Sequence, residues 1–174
     1  MEAEQERIDW RRRLVVAGVV VVALVLAWLV VAATVPRWWA QRIGDQVGGS
    51  ITHGVLVGLF YGFVFTLVPL AVLGLVLWWR PSAKVVALGT GVAVLLALPN
   101  LMTLGIVVGT GNAAHAGDRI LDVEAPAFRG ASLAGALLAA ALLGGVAYLV
   151  VSRGRARAEA RRARARAAGE DGPT

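Results

Sequence analysis

Asn100 is the side chain best placed for chemistry within the apolar part of the chain, where it follows Pro99 deep in a hydrophobic run. Its amide offers two donors and an acceptor, and lipid can satisfy none of them. The residue therefore predicts a partner such as Thr66, Thr103, a freed backbone carbonyl or water. Two roles are open: an amide that lines a solute pathway, or an interhelical hydrogen bond, worth ~0.6 kcal/mol on average in membranes. The interhelical bond is the expected role.

Pro69 and Pro99 each fall near the middle of an apolar run. A proline has no N–H, so each removes the helical hydrogen bond to the carbonyl four residues earlier, at Phe65 and Leu95. If the two prolines face each other, they form a flexible waist of the kind that broken helices form in transporters. The simpler alternative is a kink in each helix without a role in transport, and this is the expected reading.

Asp, Glu, Lys and Arg are absent from the apolar runs, which argues against an intramembrane proton relay. His53 and His115 lie near three carboxylates outside the runs, but their spacing does not indicate a zinc site. Nothing resembles a nucleophile elbow, a P-loop or a dinucleotide fingerprint. The sequence therefore predicts a protein that is not an enzyme and that has no catalytic residue, metal or cofactor.

Four apolar runs dominate the 174 residues, of which 58% are hydrophobic, with a mean hydropathy of +0.72. A helix needs about 20 residues to cross a bilayer, and each run is that long. The prediction is an all-α membrane domain over residues 14–151, a four-transmembrane-helix bundle. Its helices cover residues 14–35, 54–79, 85–108 and 131–151, its two long loops cover 36–53 and 109–130, and its flanking segments cover 1–13 and 152–174.

Small residues recur at steps of four in two of these helices, which predicts two helix-packing faces. The first face comprises Gly54, Gly58, Gly62 and Thr66, and the second comprises Ser132, Ala136, Ala140 and Gly144. In lipid, such faces let two backbones approach closely. The spacing fits a seam within one chain and a seam between copies in a homo-oligomer equally well, and it also fits a sliding surface between moving helices.

The first long loop begins with two aromatic residues and carries apolar residues at helical spacing, namely Trp39, Ile43 and Val47. This pattern predicts a short interfacial helix that ends at Gly48 and Gly49. Trp residues prefer the membrane–water interface. The predicted interface anchors are Trp38, Trp39, Trp78, Trp79 and Arg80.

The basic residues predict the orientation, because thirteen of the 17 flank the runs on one side, in the N-terminal segment, the turn at 80–84 and the tail. Only four lie in the two long loops. By the positive-inside rule both termini are cytoplasmic and the long loops lie outside. A multi-pass protein of the plasma membrane (the bacterial inner membrane) is predicted, whose arginine-rich tail lies against anionic lipid headgroups rather than nucleic acid.

Two loop motifs carry a family resemblance: Pro36-Arg-Trp-Trp-Ala-Gln-Arg-Ile-Gly-Asp-Gln-Val, followed by Gly-x-x-x-Gly-x-x-x-Gly and Pro-Leu, and Leu121-Asp-Val-Glu-Ala-Pro-Ala-Phe-Arg-Gly-Ala131. Over residues 14–151 the chain resembles small four-helix permease-like membrane proteins of high-GC Gram-positive bacteria, grouped with the drug/metabolite transporter superfamily. The resemblance implies a small-solute transporter of unknown substrate. The better understood four-helix drug exporters have a glutamate in the first helix, which residues 14–35 lack.

Two functions thus follow from the sequence. The first is a small-solute transporter or permease of unknown substrate, which works as an oligomer because four helices enclose little space. The alternative is a non-transporting scaffold or regulatory protein that acts through its outer loops. Polar groups along a shared helix interface favour the first, and a dry bundle with ordered outer loops favours the second.

Overall fold

A computed structural model describes residues 2–79 and 82–170, and within these ranges every regular element is an α-helix. The helices are α1 (Glu2–Val47), α2 (Ile51–Trp78), α3 (Ala83–Val108), α4 (Asn112–Glu124) and α5 (Phe128–Glu170). All but α4 contain a segment long and apolar enough to cross a membrane: Trp10–Val47, Ile51–Trp78, Ala83–Val108 and Phe128–Arg155. The prediction of an all-α protein with four membrane-length apolar helices is confirmed.

The first helix differs from its predicted bounds, because α1 starts at Glu2 and continues through Pro36 to Val47 instead of covering residues 14–35. A proline inside a helix removes one backbone hydrogen bond, here the one to the Ala32 carbonyl. The helix persists because the residues after Pro36 bury one face, at Trp39, Ala40, Ile43, Gly44 and Val47. The predicted loop 36–53 is therefore mostly helix. The predicted stop is observed, with Gly48 and Gly49 at positive φ of 61° and 73°.

The second predicted loop, residues 109–130, contains α4 and the start of α5. In α4, the residues Ala113, Ala114, Gly117 and Leu121 are buried, at the 3–4 spacing of an amphipathic helix. The fifth helix also extends past the predicted end at residue 151, because alanine and arginine are strong helix formers. In the first long loop the predicted helix is present but continuous with α1, and the second long loop, predicted without a helix, is largely helical.

By internal packing the chain divides into two compact units. The first comprises Met1–Gly54 and Leu101–Ala127, and the second comprises Val55–Asn100 and Phe128–Thr174. In the first unit, residues 36–47 of α1 lie beside α4, and these two segments are called the α1–α4 pair below. A Cβ at Gly117 would lie 2.9 Å from the Pro36 carbonyl oxygen, and one at Gly44 would overlap the Glu124 side chain. The order of these contacts means that the two segments run in the same direction.

The second unit contains residues 55–78 of α2, residues 83–100 of α3, and α5. Along α2, Gly58 lies beside Phe128 and Gly62 beside Ser132, so α2 and α5 are parallel. Against α3 the order reverses, since Val76 lies beside Gly89 while the middle of α2 lies beside Asn100. The alternation of α2, α3 and α5 is what successive membrane crossings require.

The N-terminal span is exposed on every side, because each side chain from residue 10 to residue 34 is exposed and its most apolar window is 0% buried. Trp28, for example, is 66% exposed. By contrast, α2, α3 and α5 each bury part of a face. The first span therefore takes its stability from lipid and from its own backbone hydrogen bonds rather than from packing within the described part of the chain.

The turn before α5 contains the only positive φ at a non-glycine residue among the described residues, 66° at Ala127. A left-handed conformation costs an L-residue roughly 1–2 kcal/mol, and glycine removes this cost while adding about 0.4–1 kcal/mol of unfolded-state entropy. We expect Ala127→Gly to stabilise the protein by about 0.5 kcal/mol in thermal denaturation in detergent. The control is Ala134→Gly on the exposed helical face of α5, which is expected to destabilise by about 1 kcal/mol. A loss of stability in Ala127→Gly would contradict the prediction.

Candidate functional site: a buried amide at a three-helix junction

In the second unit, glycines on α2 and α5 allow the backbones of these two helices to come into contact. A Cβ at Gly58 would lie 2.5 Å from the Phe128 carbonyl oxygen, and a Cβ at Gly62 would overlap the backbone of Ser132. From the other side, a Cβ at Gly135 would lie 2.5 Å from the Leu59 carbonyl oxygen. Neither helix can gain even a methyl group at these positions without moving. Gly54, the first residue of the predicted α2 face, is buried as well.

On α5 the packing face departs from the predicted stripe. Ser132 is buried and Ala136 half-buried, but Ala140 and Gly144 are exposed, and a Cβ at Gly144 would meet nothing within 4 Å. The buried face is Phe128, Ser132, Gly135 and Ala139. Steps of four drift by about 40° each around a helix, whereas alternating steps of four and three keep to one face. Sequence reasoning missed Phe128, Gly135 and Ala139, although this alternation was present as a signal.

Asn100 joins α3 to the same junction. Its Nδ2 donates to the Thr66 Oγ1 at 2.8 Å and to the Gly62 carbonyl oxygen at 3.2 Å. The absence of a side chain at Gly62 thus serves two neighbours, because α5 packs on its Cα and α3 bonds to its carbonyl. Thr66 was one of the two side chains predicted as a partner, and the interhelical bond expected for Asn100 is present in the structure. The Oδ1 of Asn100 is buried and has no hydrogen-bond partner.

Thr103, the other predicted partner, lies in the first unit and accepts a hydrogen bond from Trp39 Nε1 at 2.9 Å. Both side chains are 6% exposed. Trp39 was predicted as an interface anchor, but the structure buries it because the face of α1 after Pro36 packs inward. Trp38, Trp78 and Trp79 are 51%, 71% and 76% exposed, as an interface position requires. Arg80 lies outside the described residues.

The two prolines lie within continuous helices. Pro69 is buried in α2 and Pro99 half-buried in α3, and both helices run through them without a break. The carbonyls of Phe65 and Leu95 still lose their helical N–H donors. The structure therefore contains the proline-freed carbonyls of the prediction within unbroken helices.

Metal-ligating side chains do not gather in the part of the chain that the structure describes, where no group of three or more His, Cys, Asp or Glu residues could hold an ion. His53 and His115 are both exposed. The side-chain hydrogen bonds described above in the two units involve amide, hydroxyl and indole groups.

No protein-family model, curated protein sequence or solved structure matches this chain. Two features of the structure bear on function. One is the α1–α4 pair, and the other is the half-satisfied amide of Asn100.

Proposed function

We propose that this chain is a multi-pass plasma-membrane protein that acts as a scaffold or regulator through the α1–α4 pair, without transporting a solute. The observation that carries this proposal is the position of the largest buried side chains. Four of the five largest fully buried side chains belong to the first unit: Ile43, Val47, Ile106 and Leu121, with Phe128 in the second. Segments that merely connected helices would not need such burial.

Burial on one face of the α1–α4 pair fixes the orientation of the side chains on the other. The exposed face carries both charge signs and an apolar residue: Arg42, Asp45, His115, Arg119, Asp122 and Val123. Val123 is 76% exposed, beside the hydrogen bond from Gly49 N to the Glu124 carbonyl oxygen, 2.8 Å long. A rigid display of charged and apolar groups is what recognition of a protein partner requires.

The proposed orientation places both termini in the cytoplasm and the α1–α4 pair outside, since thirteen of the 17 basic residues flank the opposite ends of the spans. The arginines of the tail then meet anionic headgroups of the inner leaflet. The proposal assigns no catalytic step and no cofactor.

The test uses the absence of native cysteine. Val123→Cys, treated in intact cells with a membrane-impermeant thiol-directed photo-crosslinker, is expected to be modified and to give one discrete protein adduct. Ala160→Cys, in the tail, is the orientation control and is expected to stay unmodified until the cells are lysed. Ile51→Cys, 67% exposed at the start of α2 on the side proposed to lie outside, is the control for crosslinking by chance collision.

Two outcomes oppose the proposal in different ways. Modification of Ala160→Cys but not Val123→Cys in intact cells would reverse the orientation. Modification of Val123→Cys without a discrete adduct, or with the same adducts as Ile51→Cys, would contradict the scaffold role. The adduct supports the proposal only if Arg119→Glu abolishes it. In addition, cells that carry Arg119→Glu must show the same phenotype as cells from which the gene has been deleted.

A small-solute permease is the second candidate, supported by the half-buried Asn100 within the spans, whose buried Oδ1 has no hydrogen-bond partner. The resemblance of the loop motifs to permease-like proteins points the same way. In liposomes that contain only this protein, a permease gives solute flux above empty vesicles, and Asn100→Leu abolishes it. The scaffold proposal expects no flux from either protein across a panel of cationic and neutral compounds.

A further inference from the structure

The amide of Asn100 is satisfied on one side only. Its Nδ2 makes two hydrogen bonds, to Thr66 and to the Gly62 carbonyl, while its Oδ1 is buried without a partner. An unsatisfied buried acceptor costs about 1–3 kcal/mol, and hydrocarbon offers no donor to replace water. The arrangement therefore favours any hydrogen-bond donor that reaches Oδ1.

Turning the amide by 180° does not resolve the deficit. In that orientation Oδ1 would gain the Thr66 hydroxyl as a donor but would lie 3.2 Å from the Gly62 carbonyl oxygen, where two acceptors repel. Nδ2 would then be buried at the position without a partner. The orientation with two donated bonds is the better one, and it leaves an acceptor as the unsatisfied group.

We infer that Asn100 Oδ1, between α2 and α3, is a binding site for a small molecule that donates an N–H or O–H group. Water is the smallest such donor, and a neutral or cationic solute with a hydroxyl or ammonium group is the other source. Phe65 precedes Thr66 on α2, and its carbonyl is freed of its helical donor by Pro69. The freed groups of this region are thus acceptors, which selects for donors and against anions.

This site is independent of the scaffold proposal, because a retained water tightens the packing of α2 on α3 whatever the α1–α4 pair binds. Occupation by a solute donor would instead extend the permease candidate, by naming its substrates as hydrogen-bond donors. Water and a solute are distinguished by which of them reaches Oδ1 in the experiment below.

The chain has two asparagines, Asn100 and Asn112, so selective labelling of the asparagine side-chain carbonyl with ¹³C gives two signals in lipid bilayers. Asn100→Leu assigns them by removing one. In water-edited solid-state NMR we expect the Asn100 Cγ to receive magnetisation from water as Asn112 does, although Asn112 is exposed at the start of α4. Glycerol and methylammonium are the solute probes, each expected to shift the Asn100 Cγ signal only if a solute can displace water.

Thr66→Val is the matched variant, because it removes a partner of Nδ2 and leaves Oδ1 untouched. It is expected to move the ¹⁵N shift of the Asn100 side chain and to leave the transfer from water to Cγ in place. A Cγ that receives no magnetisation from water and does not shift with either probe would overturn the site. Transfer from water without a solute shift supports a water site, and a shift with either probe supports a solute site.

Discussion

Gly62→Ala is expected to destabilise the protein by about 3 kcal/mol, although it adds a single methyl group to a helix. Overpacking costs 1–3 kcal/mol where side chains can shift. Here the new Cβ would overlap the carbonyl group and Cα of Ser132, which belong to the backbone of α5. A helix backbone cannot rotate away as a side chain does, so α2 and α5 must separate as a whole.

That separation would also weaken the bond from Asn100 to the Gly62 carbonyl. The measurement is the midpoint and enthalpy of thermal denaturation in detergent. Gly74→Ala is the control on the same helix, because Gly74 is exposed and a Cβ there would meet nothing within 4 Å. Alanine is the better helix former, so the control is expected to stabilise by up to about 1 kcal/mol. Equal stability of the two variants would show that the α2–α5 contact is not as close as described.

Phe128→Ala carries the second large expected effect, a loss of about 3 kcal/mol. Phe128 is 0% exposed and contacts the ring of Tyr61 edge to face, with centroids 6.1 Å apart. Truncation of a buried Phe costs 3–5 kcal/mol in water-soluble proteins. We expect the lower end of that range, because lipid solvates the unfolded helices as well as it solvates apolar side chains, which leaves mainly the cavity and the lost contacts.

Phe60→Ala is the matched control for this prediction, since Phe60 lies on α2 beside Tyr61 and is 58% exposed. It removes the same atoms from a surface that lipid can refill. Its stability is expected to stay within about 0.5 kcal/mol of the parent protein. If Phe60→Ala destabilised the protein as much as Phe128→Ala, the burial of Phe128 would not explain the effect.

The four spans were predictable because lipid requires about 20 apolar residues in a row, and this requirement is written directly in the sequence. The helix of the first long loop was also predictable, from its apolar spacing, but its continuity with α1 and the presence of α4 were not, because both follow from packing. Pro36 locally favours an end to α1, but burial of Trp39 and Ile43 on one face outweighs the loss of one hydrogen bond. In α4, the buried face consists of Ala113, Ala114, Gly117 and Leu121. Because three of these residues are alanine or glycine, this face gives only a weak apolar signal in the sequence.

The site shows the same division. Thr66 as a partner of Asn100 followed from elementary chemistry, because a polar side chain in lipid must find another. Beyond Ala136 the predicted stripe on α5 leaves the face that packs within the chain, because residues four apart are displaced by about 40° around a helix at each step. Trp39 was assigned to the interface from its residue type, whereas the Thr103 hydroxyl gives its indole N–H a buried partner. The unsatisfied Oδ1 had no signature in the sequence.

The exposed first span has a consequence for how freely its sequence can change. Packing selects side chains by shape, but the side chains from residue 14 to residue 34 are all exposed within the described chain, and a lipid environment selects only for apolar character. Valine, leucine and alanine are therefore interchangeable there, so the span tolerates drift, recombination with unrelated spans and replacement by a designed poly-leucine helix. The tolerance ends near Pro36, where α1 meets Gly117, so a replacement of the span has to keep residues 36–47, which pack against α4.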